Sequence, residues 1–443
     1  MGPGPAGIRG RRTAPVARLL SRAVPLPDHG RPVADVLADL DALAVDDKDF
    51  RAGRTFGLVF HVDEELETAI HAAHDRFLWH NALSVDAFPS LRRMQSEVVA
   101  IATSLFGGDA VKAEGGEAAG FMTSGGTESI LLAVEAAKVR GHRERGIERP
   151  NVVMPTSAHA AFDKGCSYFG LEPRRVDVRA DWRADVDAIA GAVDGDTVLL
   201  VGSAPQYPQG VIDPIADIAA IARDRGASCH TDACMGGFVL PFLEQLGRDI
   251  PPWDFRVEGV TSISADLHKY AYVPKGASVL IHRSKELRRD HTFLFDGWLG
   301  GVYGSSGILG TKPGGPIAAA WAALQLLGLD GFCTQVAKAV DARERLTAGV
   351  RAIDGLDVVG EPEATMAAIW SPDAAVDVFA VGERLDRKGW HLDRQGPPES
   401  LHATCTPVHA SVIDELLADV AEATALVAGT RTADRSTNYA SME

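Results

Sequence analysis

In SISADLHKYAYVPKG, residues 262–276, a lysine follows a histidine where one apolar strand ends and shortly before another begins. A surface lysine in a turn is one reading of Lys269. The other is a nucleophilic amine, freed of its proton by partial desolvation and able to form a Schiff base with an aldehyde. ASCHTDACMGG, residues 227–237, adds a second cluster, because period-two alternation puts His230, Asp232 and Cys234 on one face of a strand. These three types can ligate a metal, but the set is mixed and no His pair lies nearby. A satisfied core network, or a strand-end carboxylate with no task, would look the same.

Two further strings carry possible chemistry. FMTSGGTESILLAVEAAK, residues 121–138, runs from a strand through Gly125 and Gly126 into a helix starting at Thr127. Glycines let backbone N–H groups approach an anion, and the helix start adds its positive end. A plain capped turn resembles this, and neither a P-loop nor a dinucleotide fingerprint is present. In PTSAHAAFDKG, residues 155–165, His159 opens a helix, either as a cap or core residue or as a ring laid flat on an aromatic ligand. Taken in order, a phosphate turn, a stacking ring, a carboxylate and a Schiff-base lysine describe one pocket for an aromatic, phosphorylated aldehyde, pyridoxal 5′-phosphate. Asp232 then acquires a purpose: it keeps the pyridine nitrogen protonated, so that the ring can accept electrons from a breaking bond at the substrate α-carbon.

The elements that must position these residues follow from the hydrophobic pattern. Helical spacing covers Glu64 to Asn81 and Ser90 to Phe106. From about Ala119, short apolar runs (AGFMTS, NVVMP, TVLLVGSA, ASCHTDA, VTSISAD, ASVLIHR) alternate with helical stretches over 127–140, 159–169 and 215–225. That alternation predicts an α/β fold, a doubly wound and mostly parallel sheet with helices on both faces, which binds ligands where its strands end. Helices over 316–329 and 334–353 lead to LDVVG, MAAIWS, WHLDRQ and LHATCT, interleaved with helices over 376–387 and 410–427, a smaller α+β domain. The expected division is an N-terminal arm and helical segment (1–110, the first 35 or so residues loose), a large cofactor-binding domain (111–330), a small C-terminal domain (331–432) and a polar tail (433–443).

Composition sets limits. At 443 residues the chain can bury a large core. Its net charge of −16 argues against nucleic-acid or anionic-membrane partners, so an anionic ligand must be held by local donors. Five scattered cysteines (166, 229, 234, 333, 405) without a CxxC pair read as reduced thiols of a cytoplasmic protein. The basic start lacks the apolar run of a signal peptide, and the longest apolar stretch, Ile317 to Leu329, is shorter than a membrane span and reads as a core helix. No transmembrane segment is expected.

GGTESILLAVEAAK, SAHAAFDK, GSAPQYPQG, HTDACMGGF, VTSISADLHKYAYVPKGASVLIHR and GGVYGSSGILGTKPGG closely resemble the sphingosine-1-phosphate lyase family, relatives of the pyridoxal-phosphate-dependent group II decarboxylases. The similarity runs from about Gly53 to Gly315, and more loosely beyond. It implies the aspartate-aminotransferase-like architecture (fold type I) and a homodimer with shared active sites. Residue by residue, it implies that Lys269 holds the cofactor, His268 and the Gly126–Thr127 turn meet its phosphate, Asp232 meets the pyridine nitrogen and His159 stacks on the ring. Thr311, in GTKPGG, matches a phosphate contact donated by the neighbouring subunit, where the family has Ser. Lys275 matches a lysine facing the substrate phosphate, and Tyr207 and Asn81 fall on the substrate side.

Two positions depart from the family. GLVFH stands where the family has a GAVYH-like string, so Phe60 replaces a tyrosine hydroxyl. NALSVDAFP stands where it has NPLHPDxFP, so Ser84 replaces an imidazole. Both lost groups help hold the substrate phosphate, and each is worth about 1–3 kcal/mol to a charged partner. The resemblance implies retro-aldol cleavage of a β-hydroxy amine, sphingosine 1-phosphate or a less phosphate-dependent relative, to an amine and an aldehyde. Amino-acid decarboxylation, which uses the same electron sink, and a catalytically silent homologue are the alternatives.

Overall fold

The computed structural model describes residues 25–427 and 429–437. These fall into two compact units divided after Asp47. Within the first, a helix spans Val33–Leu43 with every residue exposed, and Arg31 pairs with Asp39 at 2.6 Å. The loose arm expected over the first 35 residues therefore gives way to helix at Val33, and residues 1–24 lie outside the described residues. Of the polar tail, 433–437 carries no helix or strand, and 438–443 is likewise outside.

The second unit begins at Lys48. Helix Glu64–Arg76 is capped by the Asp63 carboxylate, which accepts from the Leu66 N–H, and helix Pro89–Leu105 buries Leu91, Met94, Val98 and Ala102 at helical spacing. The first helix stops five residues short of Asn81. The chain turns there so that Asn81 can bridge to Pro313, and the Ala82 N–H can donate to the Lys312 carbonyl.

Seven strands form the main sheet: β1 (Ala119–Thr123), β2 (Asn151–Pro155), β3 (Glu172–Val176), β4 (Thr197–Ser203), β5 (Ser228–Asp232), β6 (Ser262–Ala265) and β7 (Ser278–His282), in the order β1-β7-β6-β5-β4-β2-β3. All neighbours are parallel except β7, which runs antiparallel to both β6 and β1. Strands β2, β4, β5, β6 and β7 are buried throughout; β2, β4 and β7 are largely apolar, as strands covered on both faces usually are, while β5 (SCHTD) and β6 (SISA) carry polar residues along their length. Only β3 went unanticipated. It is a half-exposed edge strand with Pro173, Arg174 and Arg175 inside it, so it carries no apolar run to read.

A short hairpin, β8 (Phe293–Phe295) and β9 (Tyr303–Ser305), precedes helix Gly314–Arg351. The two helices read in the sequence here are run together, with a break at Gly328 (φ 54°, ψ −170°), a conformation open only to glycine. By length and composition this helix could cross a bilayer, yet Ile317, Ala318, Ala319, Ala320 and Leu324 are buried in the main core, as expected of a core helix. Four antiparallel strands, β10 (Asp357–Val358), β11 (Met366–Trp370), β12 (Asp393–Gln395) and β13 (Ser400–Thr404), then form a second sheet in the order β10-β11-β13-β12. Helices Val378–Arg387 and Ile413–Val427 cover it around a core of Phe379, Trp390, Leu401 and Leu416, into which Phe56 also inserts.

Candidate active site

The C-terminal ends of β1, β4, β5 and β6 lie along one edge of the main sheet, and the candidate residues gather there. Asp232 is the last residue of β5 and is buried. Its Oδ1 accepts from the Cys234 N–H at 3.1 Å and from the Ser264 hydroxyl of β6 at 3.2 Å. The same serine lies 3.0 Å from His230 Nε2 and 3.3 Å from Cys234 Sγ, so the predicted common face of His230, Asp232 and Cys234 exists and turns on Ser264. His230 also meets Ser262 at 2.8 Å. With both ring nitrogens satisfied inside the protein, His230 belongs to a core network, and burial lowers its pKa to about 4.

Lys269 sits in the single turn Leu267–Tyr270 that follows β6. Its Nζ lies 3.0 Å from Asp266 Oδ2, a carboxylate only 2% exposed. His268 Nε2 is 3.6 Å from the same oxygen, and the Ser278 hydroxyl donates to Oδ1. Burial alone would raise the Asp266 carboxyl. The Lys269 and His268 charges and the hydrogen bonds from Ser278 and Lys269 outweigh it and hold Asp266 below the ordinary carboxylate range, so it is ionised. Sequence reading missed this residue. The signal was there, an acid three residues before the lysine in a one-turn helix, where the two side chains meet.

His159 precedes helix Ala161–Phe169, and its Nδ1 accepts from the Ala161 N–H at 3.0 Å. That bond makes Nδ1 an acceptor and puts the ring proton on Nε2. Burial lowers its pKa against the pull of Asp232 and Asp266, with Lys269 adding to the lowering, so the ring is neutral and stands within the field of all three groups. A flat, uncharged imidazole is the form that stacks on an aromatic ring without bringing charge to it.

The Gly125–Gly126 turn closes the pocket. Gly126 opens the 20-residue helix to Arg145, and a Cβ on it would stand 2.7 Å from Cys234 Sγ and 2.9 Å from Asp266 Oδ2. Only glycine lets this turn come so near. A Cβ on Gly125 would touch His268 at 3.4 Å, so turn and histidine face each other. His268 Nδ1 is buried without a hydrogen-bond partner, and Thr127 is exposed at the second helical position. A helix start with its free N–H groups, an unsatisfied imidazole nitrogen, a buried carboxylate, a neutral ring and a lysine suit the phosphate, the pyridine ring and the aldehyde of pyridoxal phosphate.

The substrate-side residues divide into two places. Phe60 packs edge-on against Tyr270, with ring centroids 5.0 Å apart, and Lys275 Nζ lies 5.1 Å from the Phe60 ring centroid. Lys275 also donates to the His268 carbonyl at 3.1 Å. Burial, then the neighbouring Lys269 charge, lower its pKa to about 8. Both residues line a cavity of about 290 Å³ with Phe50, Leu66, Ile70 and Tyr272. Tyr207 follows β4 and donates to Asp393 Oδ2 at 3.2 Å.

Asn81, Ser84 and Thr311 lie elsewhere. The Asn81 carbonyl oxygen is occupied by the Leu83 and Lys312 N–H groups at 2.9 and 3.2 Å, while Ser84 and Thr311 are exposed. Their stretch borders a different groove, lined by Ala82, Leu83, Gly310 and Lys312. Within one chain they do not join Phe60 and Lys275.

The pyridoxal-dependent decarboxylase conserved domain matches residues 78–371. Sphingosine-1-phosphate lyase of Arabidopsis thaliana is 42% identical over 374 residues, covering 84% of this chain and 68% of the relative. Sphingosine-1-phosphate lyase 1 of Rattus norvegicus is 38% identical over 400 residues, covering 90% and 69%. Among solved structures, a sphingosine-1-phosphate lyase of Burkholderia pseudomallei superposes with a TM-score of 0.88 at 39% identity, covering 94% of this chain and 96% of that one. The glutamate decarboxylase of Lactobacillus brevis, at 20% identity and a TM-score of 0.79, shares the fold. With relatives this similar along most of its length, the chain belongs to the sphingosine-1-phosphate lyase family of pyridoxal-phosphate-dependent enzymes.

Proposed function

We propose that this protein cleaves the Cα–Cβ bond of a phosphorylated β-hydroxy amine of the sphingosine 1-phosphate kind, giving phosphoethanolamine and an aldehyde. The observation that carries the reading is that the Lys269 turn, with its amine paired to Asp266, follows the strand beside the one that ends in Asp232, and that the Gly125–Gly126 turn comes up against Cys234, Asp266 and His268, in a chain whose relatives include sphingosine-1-phosphate lyases. Bound pyridoxal phosphate supplies an electron sink for the pair released at Cα. Lys269 holds and releases the cofactor, Asp266 keeps the lysine in place, and Asp232 holds the proton on the pyridine nitrogen. His159 fixes the plane of the ring. Gly125, Gly126, Thr127 and His268 take the phosphate. Lys275 faces the phosphate of the substrate from beside Phe60. A homodimer accounts for Thr311, Asn81 and Ser84, which would serve the partner's pocket from the second groove. The working site is read as lying in the cytoplasm.

The test is incubation with sphingosine 1-phosphate and, separately, with amino acids. Aldehyde release from the first supports the lyase. Carbon dioxide from an amino acid without aldehyde from any β-hydroxy amine replaces it by the decarboxylase alternative.

Phe60 also makes a quantitative forecast. Phe60→Tyr restores a hydroxyl beside Lys275, and a hydrogen bond to a charged phosphate is worth about 1–3 kcal/mol. KM for sphingosine 1-phosphate should fall by about tenfold, while KM for the unphosphorylated base stays level. Equal effects on both substrates would mean that Phe60 does not face the phosphate.

A further inference from the structure

The β-hydroxyl must lose a proton as the Cα–Cβ bond breaks, and the C-terminal sheet brings a carboxylate to Tyr207, which the family resemblance sets on the substrate side. Asp393, first residue of the edge strand β12, accepts from the Tyr207 phenol at 3.2 Å. The Tyr207 ring stacks on His402 of β13, with centroids 3.9 Å apart and 25° between planes, and Gln395 donates to the Pro208 carbonyl at 2.6 Å. The loop after β4 is thus clamped onto β12 and β13 on both sides of its bond to Asp393. The other carboxylate oxygen of Asp393 lies 3.2 Å from His391 Nε2, and the Asp393 side chain is 14% exposed. The Phe56 N–H donates to the His391 carbonyl at 2.9 Å, so the segment that delivers Phe60 rests on the same edge. Tyr207 also approaches Tyr270, the residue after Lys269. Burial raises the Tyr270 phenol well above its ordinary pKa, and Tyr207 adds to that rise.

Resting on the lyase reading above, we propose that Asp393 is a positioning residue for bond cleavage, acting through Tyr207, whose phenol passes its own proton to the carboxylate as it takes the proton of the substrate hydroxyl. The substrate O–H bond breaks and a new Oη–H bond forms. The old Oη–H bond breaks and an O–H bond forms on Asp393. The oxygen electron pair becomes the C=O bond of the departing aldehyde, and the Cα–Cβ pair stays at Cα. The proton held by Asp393 then returns through Tyr207 to Cα, so one hydrogen has moved from oxygen to carbon. A neutral phenol cannot take a proton without such an outlet, because its protonated form is far too acidic to persist.

Asp393→Asn keeps the shape and an acceptor for the phenol but cannot take a proton. With sphingosine 1-phosphate as probe, kcat should fall by about 10²–10³-fold, the range of a lost acid–base group. KM should stay within about threefold, with the melting temperature and cofactor absorbance of the native protein. Tyr207→Phe should lose a similar amount, and the double variant no more than either single one, because both interrupt the same transfer. Formate should restore part of kcat to Asp393→Ala but none to Tyr207→Phe, which keeps the inference testable if the Asn variant folds poorly. An Asn variant within about threefold of native kcat, losses that multiply in the double variant, or formate rescue of both variants would each overturn it. A native protein that releases no aldehyde would instead overturn the lyase reading, and this inference with it.

Discussion

Lys269→Ala should abolish turnover, lowering aldehyde release on the order of 10⁴-fold or more, because Lys269 is the group that carries the cofactor covalently and hands it to the substrate. The purified variant should also lose the yellow colour of a lysine-bound pyridoxal. Its fold should survive. Lys269 is 17% exposed in a one-turn helix, and removing it leaves Asp266 with Ser278 and His268 as partners. A buried carboxylate that has lost its lysine will still cost some stability, so Lys269→Met and Lys269→Ala should both melt lower than native. The check is absorbance together with aldehyde release. A colourless variant that still turns over would remove the covalent step from this site.

Asp232→Asn is the second large effect. The amide oxygen can still accept from Cys234 and Ser264, so the strand end keeps its hydrogen bonds and the protein should fold normally. What it loses is the negative charge that holds a proton on the pyridine ring. Removing one partner of a buried ion pair costs about 3–5 kcal/mol, so kcat should fall by about 10²–10⁴-fold and the cofactor should dialyse away more readily. Native turnover in this variant would show that the carboxylate does not face the ring nitrogen.

Much of this was legible in the sequence. Asp232 and the Lys269 turn were legible as strand-end chemistry, because each closes a short buried strand, SCHTD and SISA, in a series that alternates with helices. Gly126 was legible as a close approach, though not to what. Other features left no local trace. Strand β3 lies on the sheet edge, where Pro173 and two arginines replace the apolar pattern. Helix Val33–Leu43 begins just inside the end of the arm expected to be loose, after a stretch dominated by Pro, Gly and Arg. Asp266 did leave a local sign, its three-residue spacing from Lys269, but one that takes effect only once the single turn between them forms. WHLDRQ read as an ordinary strand, since Asp393 acquires its chemistry from Tyr207, 186 residues away, and no local pattern reports a contact of that range. His230 shows the converse. Its motif pointed to chemistry, and two serine hydroxyls from the neighbouring strand account for it.

Past the glycine break, one uninterrupted rod runs on to Arg351. It places Phe332, Val336 and Val340 in the first core, then Ala342, Leu346 and Val350 in the second. Neither core can come apart without fraying a backbone that the other also needs. The two should therefore melt as one cooperative block, giving a single calorimetric transition.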